Sequence, residues 1–196
     1  MGLVIPDEGV IEVKGKTIQS DYEYRSDIGY MPQINRFPSH MKVHQLFSML
    51  KKIRSSVSEE AYDKELYEKF EIEKMSNKQL GSLSGGMRQK VSAAIAFLFN
   101  PSIIILDEPT AGLDPLSNDQ LKEKINQSAA ANKLVITTSH ILSDLDEIAT
   151  YVIYLMEGQV MFFKDIQSLK QETNEERLNK MIVKLLKEEM AHAESK

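Results

Sequence analysis

Cysteine is absent from the sequence, which excludes a disulfide framework and any metal site or nucleophile built from cysteine. The sequence also lacks an apolar run of the roughly 20 residues needed to cross a bilayer, so we expect no membrane span. The sequence has no cluster of basic residues that could bind nucleic acid or an anionic membrane. Acidic and basic residues are mixed along the chain, with a net charge of −5. These absences favour a protein of a reducing compartment with no nucleic-acid partner.

The second half of the chain alternates between short apolar runs and helical periodicity. Continuous apolar runs such as Ile103 to Leu106 are typical of parallel strands that are covered on both faces. This alternation predicts an α/β fold, and 196 residues of 42% apolar composition suit one domain rather than two. The predicted strands are residues 102–106, 134–138 and 152–156, and the helices between them are residues 117–130 and 142–149.

The first half is mainly helical in its pattern. Two short strands are predicted at residues 10–13 and 27–31, and helical periodicity then runs from Val43 to about Lys74, including a charged helix over residues 59–70. After a polar stretch, a helix is predicted over residues 87–99. Near the end of the chain, Glu157-Gly158 predicts a hairpin turn, and residues 175–189 predict a charged amphipathic helix.

Two adjacent carboxylates, Asp107 and Glu108, end the most apolar of the predicted strands. The carboxyl ends of parallel strands border the crevice where α/β proteins bind ligands. There, one carboxylate can hold Mg²⁺ while the other activates a water molecule. The same two residues also fit a solvated acidic turn after a core strand.

A Ser-Gly-Gly sequence at Ser84 to Gly86 precedes an apolar helix that Ser84 is placed to cap. Exposed N–H groups at a helix start favour an anion. Taken alone, the run is equally an ordinary loop and helix cap.

Three other polar residues follow predicted strands. Asp114 follows the acidic pair, His140 follows the strand at residues 134–138, and Gln33 ends the strand at residues 27–31. Singly, such residues are usually structural histidines or polar loop residues, but the ends of neighbouring strands can bring them to one crevice.

In this order and spacing, the segments resemble the nucleotide-binding domain of ABC ATPases over roughly residues 2 to 165. The resemblance implies a P-loop NTPase-like parallel sheet with a helical subdomain at about residues 40–100, an ATP-binding domain over residues 1–170 and a charged helical extension over residues 171–196. The matching segments are Gln33 for the Q-loop, Leu83 to Gln89 for the signature loop, Ile103 to Asp107 for the Walker B strand, Thr110 to Asp114 for the D-loop and His140 for the switch histidine.

The resemblance also implies a role for each residue. Asp107 and Gln33 would help to hold Mg²⁺, Glu108 would polarise the attacking water, and His140 would steady the γ-phosphate. On the opposite face of a dimer, the residues that would contact ATP held by the second subunit and couple the two sites are Ser84, Gly85, Gly86, Gln89 and Asp114.

By the same resemblance, the chain would be the ATP-hydrolysing subunit of an ABC transporter. Its cofactors would be ATP and Mg²⁺, and its partners would be a second ATP-binding subunit and a membrane-spanning subunit. It would lie in the cytoplasm, at the inner face of the cell membrane. A DNA-repair or translation ATPase is disfavoured because the chain shows neither a long coiled coil nor tandem domains.

The chain departs from the family pattern in one respect: it has no phosphate-binding loop of the form G-x-x-x-x-G-K-[ST]. The nearest run, Gly9 to Thr17, has five residues between its glycines and alternates like a strand. We therefore expect the loop, its helix and the first strands of the sheet to be missing, which would expose a strand edge and apolar surface. The alternative function is a non-catalytic or truncated subunit that only supplies its signature loop to a complete partner.

Overall fold

A computed structural model describes residues 1–2, 4–18 and 22–194 of the chain. The chain divides into two compact units, Met1–Thr138 and Ser139–Lys196. Residues 195 and 196, which end the second unit, lie outside the described part. None of the described helices is both long enough and apolar enough to cross a bilayer.

The first unit begins with a small antiparallel hairpin. Strands β1 (Glu12–Val13) and β2 (Lys16–Thr17) pair through a two-residue turn. Its central residues, Lys14 and Gly15, have φ angles of 52° and 72°, as hairpin turns matched to strand twist require. The Gly-Lys-Thr run therefore lies in a hairpin and does not form a phosphate-binding loop.

A three-stranded parallel sheet is the centre of the first unit. It consists of β3 (Ile28–Met31), β4 (Ile103–Asp107) and β5 (Leu134–Thr138), with β4 in the middle. The α/β class is confirmed, and so are the strands predicted at residues 27–31, 102–106 and 134–138 with their parallel pairing. The strand predicted at residues 152–156 does not join this sheet, because it pairs antiparallel with the strand that follows it. Because all three strands run the same way, their carboxyl ends share one edge of the sheet.

Four α-helices accompany this sheet in the first unit. Helix α3 packs against β3 and β4, α4 packs against β5, and α2 packs against both α3 and α4. The buried side chains of α1, at positions i, i+3 and i+4, follow the predicted helical period. The four helices are α1 (Val43–Ile53), α2 (Glu65–Lys69), α3 (Gly85–Phe97) and α4 (Pro115–Ala130).

The prediction of one charged helix over residues 59–70 is wrong. A single 3₁₀ turn, Glu59–Ala61, is followed by the much shorter helix α2. Between them the Asp63 carboxylate accepts a hydrogen bond from the backbone N–H of Glu65 at 3.2 Å. Such local side-chain hydrogen bonds compete with the backbone hydrogen bonds of a continuous helix, and here a separate helix, α2, begins at Glu65.

The second unit is a hairpin covered by two helices. Strands β6 (Tyr151–Met156) and β7 (Gln159–Asp165) meet at the predicted Glu157-Gly158 turn, followed by α5 (Ile166–Thr173) and α6 (Leu178–Glu194). The side chains that form its core come from both strands and both helices: Val152, Phe162, Leu169, Leu178, Met181 and Ile182. The predicted amphipathic helix therefore packs within this unit.

Sequence periodicity failed at two places in the second unit. The helix predicted over residues 142–149 is only a 3₁₀ turn, Leu142–Asp144, followed by further turns. The Asp146 carboxylate accepts a hydrogen bond from the N–H of Leu178 at 2.8 Å, so this segment serves as a cap for α6. Helix α5, which was not predicted, begins where Asp165 accepts the N–H of Ser168.

Apolar surface is exposed in each unit. Among the described residues no strand pairs with the outer edge of β5, and on that strand Leu134 is 54% and Ile136 is 45% exposed. In the second unit, the hairpin face opposite the core presents Ile153 and Phe163 to solvent. On β5, the open strand edge and exposed apolar side chains expected from the sequence are therefore present in the described part of the chain.

A buried cation on α4 forms ion pairs with two carboxylates at the start of α2. The Lys124 ammonium of α4 lies 2.5 Å from the Asp63 carboxylate and 2.7 Å from that of Glu65, and the residue is only 7% exposed. Replacing it removes the ammonium that pairs with the largely buried Asp63 carboxylate, whereas Glu65 keeps its ion pair with Lys69.

We expect Lys124→Met to lower the free energy of unfolding by about 2 kcal/mol, measured by urea unfolding. This is less than for a fully buried pair because Glu65 is partly exposed. The matched control is Lys69→Met, whose more exposed ammonium contacts Glu65 and Glu123 and which should cost about 0.5 kcal/mol. Equal losses for the two variants would contradict the assignment.

Candidate functional site

The candidate site lies at the carboxyl end of β4, where Asp107 and Glu108 leave the sheet. Glu108 has a φ angle of 49°, in the left-handed region that non-glycine residues rarely occupy. Its N–H donates to the backbone oxygen and the hydroxyl of Thr138, each at 3.2 Å. The Thr138 hydroxyl in turn donates to Asp107 at 2.5 Å, so β5 fixes both acidic residues.

Gln89 holds the other side of Glu108. This α3 residue is 5% exposed, and its amide Nε2 donates to the backbone oxygens of Glu108 and Pro109 at 3.1 and 3.3 Å. Its Oε1 accepts a hydrogen bond from Asn35 at 2.6 Å. The residue that the resemblance assigned to ATP contact therefore lies buried, bound to the backbone that follows β4.

Ser84 caps α3, as predicted. Its hydroxyl accepts a hydrogen bond from the N–H of Met87 at 3.3 Å, while Ser84 and Gly85 are exposed. The start of α3 therefore presents a hydroxyl and helix N–H groups at the surface, where an anion is favoured.

The loop before α3 contacts the loop before α4. A Cβ atom on Gly86 would lie 2.7 Å from the backbone oxygen of Gly112, so only glycine permits this approach. Asp114 caps α4 by accepting the N–H of Ser117, and it forms an ion pair with Lys90 of α3 at 2.7 Å. The Lys90 ammonium, and next the Ser117 amide, hold the pKa of the Asp114 carboxyl well below its usual range.

A cleft of about 510 Å³ opens beside these loops. It is lined by residues from the Gln33 segment, the start of α3 and the loop before α4, including Gln33, Asn35, Gly85, Gln89 and Gly112. The fold thus brings together the predicted Q-loop, signature and D-loop segments. His140 follows β5 by two residues, is exposed and belongs to the second unit.

Asp107 and Gln33 are the predicted magnesium ligands. Among the described residues there is no cluster of three or more histidine, cysteine or acidic side chains that could hold a metal ion. Mg²⁺ bound with substrate phosphates needs only one or two protein carboxylates, since water and phosphate oxygens complete its shell. The all-oxygen donors of Asp107 and Gln33, with Asp107 held at the strand end by Thr138, fit that chemistry.

The family follows from comparison with known proteins. Residues 1–111 match the family model described as "ABC transporter". The chain belongs to the family of ABC transporter ATP-binding proteins. EcsA, an ABC-type transporter ATP-binding protein of Bacillus subtilis, is 30% identical over 98% of this chain and 80% of its own length. ABC transporter A family member 11 of Dictyostelium discoideum is 31% identical, but this chain spans only 19% of it.

Solved structures of ABC ATPase cassettes share the fold. A structure described as the ATP-binding subunit of an ABC transporter superposes with a TM-score of 0.84, at 26% identity, over 94% of this chain and 79% of that one. The cassette MJ0796, solved as a dimer in a post-hydrolysis state with ADP and Pi, superposes with a TM-score of 0.69 at 23% identity. The P-loop NTPase-like fold class is therefore confirmed.

Three residues of the candidate site were missed by reasoning from sequence: Asn35, Lys90 and Thr138. Each acts through a partner that is distant along the chain, so no local motif reveals it. Position gave a weak signal, because Asn35 lies two residues after Gln33 and Lys90 directly follows Gln89.

We expect Gly86→Ala to lower the free energy of unfolding by about 1–3 kcal/mol, because the added methyl group meets the Gly112 oxygen. Gly85→Ala is the matched control. A Cβ there meets nothing within 4 Å, and alanine favours a helix, so stability should stay equal or rise by up to about 1 kcal/mol. Thermal and urea unfolding of both variants measure this, and equal behaviour would contradict the close contact.

The Lys90–Asp114 pair makes a prediction about acid pH. Because the folded-state pKa of Asp114 is depressed, its contribution to stability is present above the ordinary pKa of about 3.9 and is lost as the pH falls through the depressed value. Lys90→Met should raise the Asp114 pKa toward its ordinary range, as measured by carbon-13 NMR titration. Lys78→Met, at an exposed lysine, is the control; an Asp114 pKa unchanged by Lys90→Met would refute the pairing.

Proposed function

We propose that this chain is part of an ATP-hydrolysing subunit that powers transport through a membrane-spanning partner. The observation that carries the proposal is the arrangement of Asp107 and Glu108 at the end of the central strand, fixed by Thr138 on one side and Gln89 on the other. Phosphoryl transfer from ATP needs charge stabilisation and a positioned water more than covalent chemistry from the protein. Two adjacent carboxylates on a rigid strand end suit that requirement.

Within this proposal Glu108 is the catalytic residue. Its carboxylate accepts a proton from, or orients, the water that attacks the γ-phosphate, and His140 donates to a γ-phosphate oxygen. Asp107 and Gln33 hold Mg²⁺, which when bound offsets negative charge on the phosphate oxygens. Because the backbone of Glu108 is left-handed, its side chain leaves the chain in a different direction from the one it would have in a continued strand.

A second cassette completes the ATP site. The exposed hydroxyl of Ser84 and the first N–H groups of α3 supply hydrogen bonds to phosphates held by that cassette, and Asp114 couples the two sites. The dimeric state of MJ0796 and its bound ADP and Pi support this arrangement by similarity of fold. The subunit pair would then work in the cytoplasm at the inner face of the membrane, against the membrane-spanning subunit.

The alternative is a subunit that lends only its signature loop to a complete partner. The Gly15 to Thr17 run is the part of the sequence most similar to a phosphate-binding loop, but it lies in an antiparallel hairpin, and this observation favours the alternative. In that case Ser84 to Gly86 would act in the partner's ATP site, and Glu108 would have no substrate of its own.

Turnover of ATP separates these functions. The tagged chain would be isolated from its own organism with its associated subunits, carrying Glu108→Gln, Ser84→Arg or the control Glu157→Gln at an exposed hairpin turn. If Glu108 is the catalytic residue, Glu108→Gln lowers kcat by about 10²-fold or more. If only the signature loop acts, Ser84→Arg abolishes turnover while Glu108→Gln leaves it intact. Normal turnover in both variants would contradict both functions.

A further inference from the structure

The Gln89 side chain connects three segments that are far apart in sequence. It lies in α3, accepts from Asn35 in the segment after Gln33, and donates to the backbone oxygens of Glu108 and Pro109. At 5% exposure it is shielded from competing water, so these hydrogen bonds are strong and costly to lose. All three bonds involve its amide, with the acceptor end toward Asn35 and the donor end toward Glu108.

The Glu108 backbone needs external support. A left-handed glutamate is unfavourable and persists only where its surroundings over-determine it. Thr138 fixes the N–H of Glu108, and Gln89 fixes its carbonyl oxygen. The same carbonyl oxygen also accepts the N–H of Ala111 at 3.3 Å, so the amide of Ala111 reports on whether this turn is closed.

We propose that Gln89 is a positioning residue that holds the catalytic turn at Glu108 and links it to the Gln33 segment through Asn35. The two amides point the same way, since Asn35 donates to Gln89 and Gln89 donates to Glu108. A shift of the Asn35 segment therefore changes the support of the Glu108 carbonyl directly. Gln89 acts through the protein backbone, and it contacts neither ATP nor the attacking water.

This inference rests on the proposed function only for its catalytic consequence. The positioning itself is measurable without ATP, by hydrogen exchange of the Glu108 and Ala111 amides in the full chain under native conditions. Gln89→Met keeps the length and burial of the side chain but removes its hydrogen bonds. Ser92→Ala, at a buried polar residue of the same helix, is the matched control.

In Gln89→Met we expect the two amides to exchange at least about tenfold faster, while amides in the middle of α3 keep their rates. The same rates as in Ser92→Ala would overturn the proposal. If Gln89→Met does not fold, Gln89→Glu serves instead, because it keeps the acceptor for Asn35 and loses the donor to Glu108. Unchanged exchange rates of the Glu108 and Ala111 amides in Gln89→Glu would also overturn the proposal. Asn35→Ala should accelerate Ala111 exchange about threefold, and no change would remove Asn35 from the link.

Catalysis supplies a second readout. In the ATP-hydrolysing complex, Gln89→Met should lower kcat about tenfold or more and change KM for ATP less than about twofold, because the ATP contacts are unaltered. A rise in KM at constant kcat would place Gln89 against the nucleotide and overturn the positioning role. A complex that hydrolyses no ATP in any form refutes the proposed function, and hydrogen exchange still decides the role of Gln89.

Discussion

The turn after β4 depends on one constraint, the left-handed backbone of Glu108. A strand that ends in this way has its next peptide groups turned out of the sheet, and they must find partners elsewhere. β5 supplies one partner through Thr138, and α3 supplies the other through Gln89. The parallel register of β4 and β5 places Asp107 opposite Thr138, and this makes the first of these bonds possible.

The two loops next to this turn are also joined. Gly86 lies so close to Gly112 that a Cβ atom on Gly86 would be 2.7 Å from the Gly112 backbone oxygen. The Lys90–Asp114 ion pair joins the same two segments one helical turn further along α3. The start of α3 and the start of α4 are therefore held as a unit. In the proposed dimer, a phosphate bound at Ser84 would contact a helix that is also bound to Asp114 through Lys90 and to Glu108 through Gln89.

Reasoning from the sequence reached the parallel strands, the cap at Ser84 and the hairpin at Glu157-Gly158, because each follows from local pattern or turn chemistry. It failed for the helices at residues 59–70 and 142–149, where carboxylates of Asp63 and Asp146 bond nearby or distant amides that periodicity does not reveal. The acidic pair and the Ser-Gly-Gly run were found from the order of motifs. Their supports at Asn35, Lys90 and Thr138 were not, because each pairing joins segments that only the tertiary fold brings together.

The most direct test of the account is a cryo-electron microscopy structure of the complete complex isolated through this chain, with a non-hydrolysable ATP analogue. The account predicts that the γ-phosphate of a nucleotide lies within hydrogen-bond distance of Ser84 to Gly86, across an interface between two cassettes. Nucleotide bound away from these residues, or a chain that associates with no second cassette, would contradict it.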